Sequence, residues 1–229
     1  MKKGVDSMVM VNNDTVTPNG ITYSGGYDAD VFISWYRHES KLKRPIEAIY
    51  LFGIYCHDFA CELAERGYLV IMPDLEANDY QSIQDKAREA LHIIITATPF
   101  IKEIAKRTII ANSSAITYSL KLLNNIYNIK IDKFIGVNGT YRVGFWQKFL
   151  NRKAHPWMKD FKILIPKDIA VRFICCDDNL IKKESQIFWA ELEADDYKDV
   201  EPPYGYYNLT NFFTESHNYQ VEHILDCVL

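Results

Sequence analysis

Several familiar features are missing from this sequence, and each absence removes a class of reading. Although 48% of the 229 residues are hydrophobic, no apolar run approaches the ~18 residues that a membrane-crossing helix needs, so no membrane partner is expected. The opening Met1-Lys2-Lys3-Gly4 is charged and leads into no apolar stretch, so it does not read as a signal peptide. Cysteine is sparse: Cys56, Cys61, Cys175, Cys176 and Cys227 are odd in number and include an adjacent pair. That is not the pattern of a disulfide framework, and a reducing, cytoplasmic location is the simplest expectation. Cys175-Cys176 has no partner at metal-binding spacing and the six histidines do not cluster, so no metal is expected. Neither G-x-G-x-x-G nor a Walker A string occurs, which removes the nucleotide-phosphate loops, and no cofactor is expected. No internal repeat or low-complexity linker divides the chain.

Charge is present in both signs but unevenly spread. The formal net charge is −4. From Tyr141 to Lys167, however, Arg142, Lys148, Arg152, Lys153, Lys159, Lys162 and Lys167 stand against a single acid, Asp160. A basic patch on an acidic chain points to an anionic partner or substrate. The acidic total, with no recognition motif, argues against nucleic acid.

Short β-branched or aromatic runs recur at Ala48–Phe52, Tyr68–Met72, Thr108–Ala111, Phe134–Val137 and Ile169–Cys175. Continuous apolar runs suit parallel strands covered on both faces. Between and after them lie helical patterns at Asp58–Arg66, Tyr80–Ile95, Ala115–Tyr127, Ile181–Ala194 and Asn218–Val228, with Gly67 as a stop for the first. Residues 1–19 read as polar and loose. Gly20–Tyr23 and Val31–Arg37 read as a hairpin around Ser24–Asp30. The alternation describes one α/β domain over residues 1–229: a mostly parallel central sheet with an antiparallel leading edge. Residues 139–167 interrupt the alternation with Phe145, Trp146, Phe149, Trp157 and Phe161 among the basic residues, and read as a small inserted cap.

The sequence Thr108-Ile109-Ile110-Ala111-Asn112-Ser113-Ser114-Ala115-Ile116 carries the chemistry. A β-branched run ends in small-x-Ser-x-small and passes into a helical pattern, a relaxed form of the G-x-S-x-G nucleophile elbow. Positions two before and two after the serine must be small or their side chains collide across the turn. Centring on Ser113 leaves alanine at both; centring on Ser114, the competitor, leaves Asn112 and Ile116. A serine hydroxyl needs a base, and in this class the order along the chain is Ser, Asp or Glu, then His. Asp178, with Asp177 as fallback, follows a late strand, although the pair also suits a helix N-cap. His217 follows the aromatic run Tyr204–Phe213, and His223 is the less favoured alternative. Two backbone donors are needed for an oxyanion: the N–H of Ser114, and that of Ile54 in the Gly53-Ile54 turn.

These residues resemble the α/β-hydrolases, through Ala48–Gly53, Leu63–Tyr68, Met72-Pro73-Asp74-Leu75 and the elbow. Within them the chain is most similar to the small BioG-type esterases. Ile135–Thr140 resembles that family's V-N-G-T. Cys175–Ile181 with Gln186-Ile187-Phe188-Trp189 resembles its acid loop and following helix, and Phe213-Thr214 ahead of His217 resembles its F-T-H end. Where the family has Trp before the serine, Gly two after it and Gly-Trp in the oxyanion turn, this chain has Asn112, Ala115 and Gly53-Ile54. Two residues also separate Thr214 from His217, where the family has none. The resemblance implies an α/β-hydrolase fold and hydrolysis of the methyl ester of pimeloyl-[acyl-carrier protein] in biotin synthesis. The basic cap would then dock the acidic carrier. Two other readings remain open: a carbohydrate or small-ester deacylase of the same fold, and a non-catalytic α/β-hydrolase-like binding protein.

Overall fold

In the computed structural model, the structure describes residues 9–28, 31–75, 83–112, 115–123, 129–137, 169–176 and 196–200, with Ile224 and Val228. Nine strands among them form one sheet: β1 (Val9–Val16), β2 (Ile21–Asp28), β3 (Val31–His38), β4 (Ile46–Phe52), β5 (Leu69–Pro73), β6 (Ile104–Asn112), β7 (Lys133–Val137), β8 (Ala170–Cys176) and β9 (Asp196–Val200). Their spatial order is β1-β2-β3-β5-β4-β6-β7-β8-β9. The pairs β1/β2, β2/β3 and β3/β5 are antiparallel, and every pair from β5/β4 to β8/β9 is parallel. This is the mostly parallel sheet with an antiparallel leading edge that the sequence leads one to expect.

Strand alternation divides the core between the two faces. On β4, Ile46, Ala48, Tyr50 and Phe52 join a cluster with Trp35, Ile109, Ala111 and the apolar sides of α2 (Ile83–Thr96) and α3 (Ala115–Leu123). Ile49 and Leu51 point the other way, into a cluster with Ile110, Ile135, Val137, Ile224, Val228 and Phe59, Ala60, Leu63 and Ala64 of α1 (His57–Glu65). A strand buried on both sides has no room for polar alternation, which is why these runs are continuously apolar. Trp35 satisfies its buried indole N–H on the Ala97 carbonyl at 3.0 Å. Helix α1 is capped by Cys56, whose sulfur accepts from the Phe59 N–H. It ends at Gly67 (φ 88°), whose N–H donates to the Ala64 carbonyl.

Two expectations are corrected, and one strand was not expected. The proposed hairpin turn at Ser24–Asp30 is strand for most of its length, because β2 continues to Asp28. Gly25 belongs in that strand because Phe32 on β3 fills the space beside it: a Cβ there would meet the ring at 2.7 Å. Part of the polar region 1–19 is β1, an edge strand with an irregular register between Val11 and Thr15. Edge strands tolerate polar residues and bulges that a central strand would not. Strand β9, unanticipated, has the sequence Asp-Tyr-Lys-Asp-Val, with three charged residues in five, and takes the last position among the described strands. The helix expected at Ile181–Ala194 and the cap at 139–167 lie outside the described residues. Ile224 and Val228 are helical, within the range expected for the last helix.

Candidate active site

Strand β6 ends at Asn112 and α3 begins at Ala115. Two residues therefore separate a central parallel strand from a helix, as an elbow requires. Those two, Ser113 and Ser114, lie outside the described residues, as do Asp177, Asp178, His217, His223 and the patch residues Arg142, Lys148, Arg152, Lys153, Lys159 and Lys162. Ile54 and the residues flanking the serines are described.

The flanks are packed against the expected oxyanion turn. Phe52 of β4 pairs with Ala111 of β6, so the residues leaving the two strands emerge side by side. Gly53 then turns away with φ 66°, a left-handed conformation that a side chain strains. Space is equally decisive: a Cβ on Gly53 would lie 2.7 Å from the Ala115 Cβ and 2.9 Å from the Asn112 carbonyl oxygen. The smallness expected at position 115 thus has a partner the sequence does not reveal, since Ala115 faces Gly53. Asn112, 2% exposed, donates from Nδ2 to the Gly53 carbonyl at 3.2 Å. Its role as a tie between the two segments was missed in the sequence. Ile54 follows, its side chain wholly buried against Ile110, Ile135 and Val137.

Sheet register supplies the wider frame. Asn112, Val137 and Ile174 are aligned across β6, β7 and β8, and Cys176 is aligned with Val200 on β9. At about 4.8 Å per strand, Asn112 at the end of β6 and Ile174 near the end of β8 are about 10 Å apart. Asp177 and Asp178 follow β8 in the chain, and the segment bearing His217 follows β9. Strands β4, β6, β8 and β9 therefore end at one carboxyl edge, the edge at which open α/β sheets bind ligands.

A second group of reactive side chains lies at α1. His57 Nδ1 is 3.3 Å from the Tyr36 hydroxyl and its Nε2 is 3.5 Å from Cys61 Sγ. This superficially resembles a thiol–imidazole dyad. Burial, with the carboxylates of Asp58 and Glu65 and the Cys56 thiol nearby, pushes the Cys61 thiol from 9.0 up to about 11. Burial likewise raises the Tyr36 phenol above its usual range. A thiol held protonated is a poor nucleophile. Among the described residues no group of three or more His, Cys, Asp or Glu is placed to hold a metal. No helix among them is long and apolar enough to cross a membrane.

No protein-family model and no curated protein sequence matches the chain. Solved structures do. An inhibited esterase B from Lactobacillus rhamnosis is similar over 94% of this chain and 88% of that one, with TM-score 0.65 and 10% identity. A cold-adapted esterase from an Arctic intertidal metagenomic library is similar over 95% and 98%, with TM-score 0.60 and 13% identity. The alpha/beta hydrolase domain-containing protein 10 from mouse is similar over 90% and 98%, with TM-score 0.56 and 12% identity. At such identities the shared property is the fold, and the chain has the α/β-hydrolase fold.

Proposed function

We propose that the chain is a serine carboxylesterase, and that its ester is the methyl ester of a pimeloyl group borne by an acidic acyl-carrier protein in biotin synthesis. The observation that carries the esterase reading is the packing of the Gly53-Ile54 turn against both flanks of the β6–α3 junction. That arrangement supports the reading because it sets the turn that bears the candidate oxyanion donor against Asn112 and Ala115, the neighbours of the two candidate serines, from a strand 59 residues earlier in the chain. The esterases among the solved structures of the same fold support it.

In this mechanism Ser113 Oγ attacks the ester carbonyl carbon while His217 accepts its proton and Asp178 holds the imidazole in the required tautomer. The N–H groups of Ile54 and Ser114 donate to the oxyanion. Each such donor contributes about 10²–10³ in turnover, and the general base about 10²–10⁴. Collapse breaks the bond to the methoxy oxygen, which takes the proton from His217 and leaves as methanol. Water then gives a proton to His217 and attacks the acyl-enzyme, and the proton passes to Ser113 as the acid is released. The carrier assignment rests on the basic residues Arg142, Lys148, Arg152, Lys153, Lys159 and Lys162, whose charge complements an acidic carrier.

The test joins Ser113→Ala to complementation of a strain lacking its pimeloyl-carrier methyl esterase. The expected result is growth without biotin for the wild-type chain and none for the folded variant. Full ester hydrolysis by Ser113→Ala would end the serine assignment. Turnover of acetylated sugars without complementation selects the deacylase. An intact chain that a fluorophosphonate probe does not label is the binding protein.

A further inference from the structure

We infer that Asn112 is a positioning residue that orients the Ile54 N–H through the Gly53–Ile54 peptide. This rests on the esterase reading above and deepens it. A trans peptide is planar, with its C=O and N–H pointing in opposite directions. Whatever fixes the Gly53 carbonyl therefore fixes the direction of the Ile54 N–H. Asn112 Nδ2 donates to that carbonyl at 3.2 Å, across 59 residues of sequence and out of contact with water.

Three constraints meet on this one peptide. On its N-terminal side Gly53 is held at φ 66° with Ala115 and the Asn112 backbone against its Cα. On its C-terminal side the Ile54 side chain is anchored in the core. Those two contacts locate the peptide, but neither sets the rotation of its plane. The hydrogen bond from Asn112 does. It also polarises the same amide, because donation to a C=O strengthens the N–H across the conjugated bond. The donor stands immediately before Ser113 in the chain, so the oxyanion peptide is referenced to the strand that presents the nucleophile. An apolar side chain at 112 would fill the space without doing this.

The experiment compares wild type, Asn112→Leu and Asn112→Asp on a soluble p-nitrophenyl ester, with folding followed by circular dichroism. Leucine keeps the approximate shape and loses the donor. Its expected effect is a fall in kcat of about 10- to 100-fold with KM within about threefold, since an oxyanion donor acts on the transition state. The Ile54 amide resonance should also move in the ¹⁵N-labelled protein, which needs no activity. Asn112→Asp adds a pH readout: a protonated carboxyl donates to the Gly53 carbonyl and a carboxylate does not. Its rate relative to wild type at the same pH should therefore fall as pH rises from 5 to about 8. Wild-type kcat in a folded Asn112→Leu protein overturns the inference, as does equal loss in kcat and KM. If Asn112→Leu does not fold, a pH-independent ratio for Asn112→Asp overturns it. An inactive wild-type chain overturns the esterase reading instead, and the amide shift then decides whether Asn112 sets the peptide.

Discussion

At Gly53 a single methyl group separates a working turn from a blocked one. Backbone strain at a positive φ and collision with Ala115 act together, so Gly53→Ala should cost about 1–3 kcal/mol in strain alone. It should also displace the Ile54 N–H, lowering ester hydrolysis by about 10²-fold. Urea denaturation and steady-state rates on the same protein check both. Loss of activity at unchanged stability would show that the turn moves rather than strains. Cys61 is the residue-scale counterexample, reactive in type and quiet in place. With its thiol raised from 9.0 to about 11, the thiolate fraction at pH 8 is about a hundredfold below that of an ordinary cysteine. Peptide-level mass spectrometry of iodoacetamide labelling should find Cys61 slow at pH 8 and faster as pH rises towards 11. Cys61 contributes nothing to the proposed reaction, so Cys61→Ser should hydrolyse ester at the wild-type rate.

Elements differ in how plainly the sequence announces them. Helix α1 is legible because its periodic apolar face and the stop at Gly67 are local signals. Its buried Phe59 and Leu63 carry it onto the sheet, and Leu63→Ala should cost about 2–5 kcal/mol by denaturant unfolding. Strands β4 to β7 are legible for a related reason: two-sided burial leaves long apolar runs. Strands β1 and β9 are not, because an edge strand is defined by its neighbour and carries polar residues at little cost. The glycines of β2 misled the reading in the same way. Gly25 marks a turn when read alone and marks the place of the Phe32 ring once β3 lies beside it.

For the whole molecule, the carboxyl edge of the sheet gathers the chain leaving β4, β6, β8 and β9, while the proposed carrier contact would be electrostatic. Reversing Arg152 and Lys153 to glutamate together should weaken carrier binding and flatten its dependence on ionic strength. Fluorescence titration of a labelled acyl-carrier protein at two salt concentrations measures both. Unchanged affinity and slope would remove the docking role while leaving hydrolysis of small esters intact.

From composition and pattern alone, this chain was committed to alternating strands and helices, to an elbow-like string at Ala111–Ala115, and to a late acid and a later histidine in hydrolase order. These are properties of residues near one another in sequence, where hydrophobic period and turn chemistry act. Folding decided that β5 inserts between β3 and β4, that Ala115 is small because Gly53 stands against it, and that Asn112 holds the neighbouring turn. Each of these depends on contact between segments tens of residues apart, and no local propensity encodes which distant backbone will arrive.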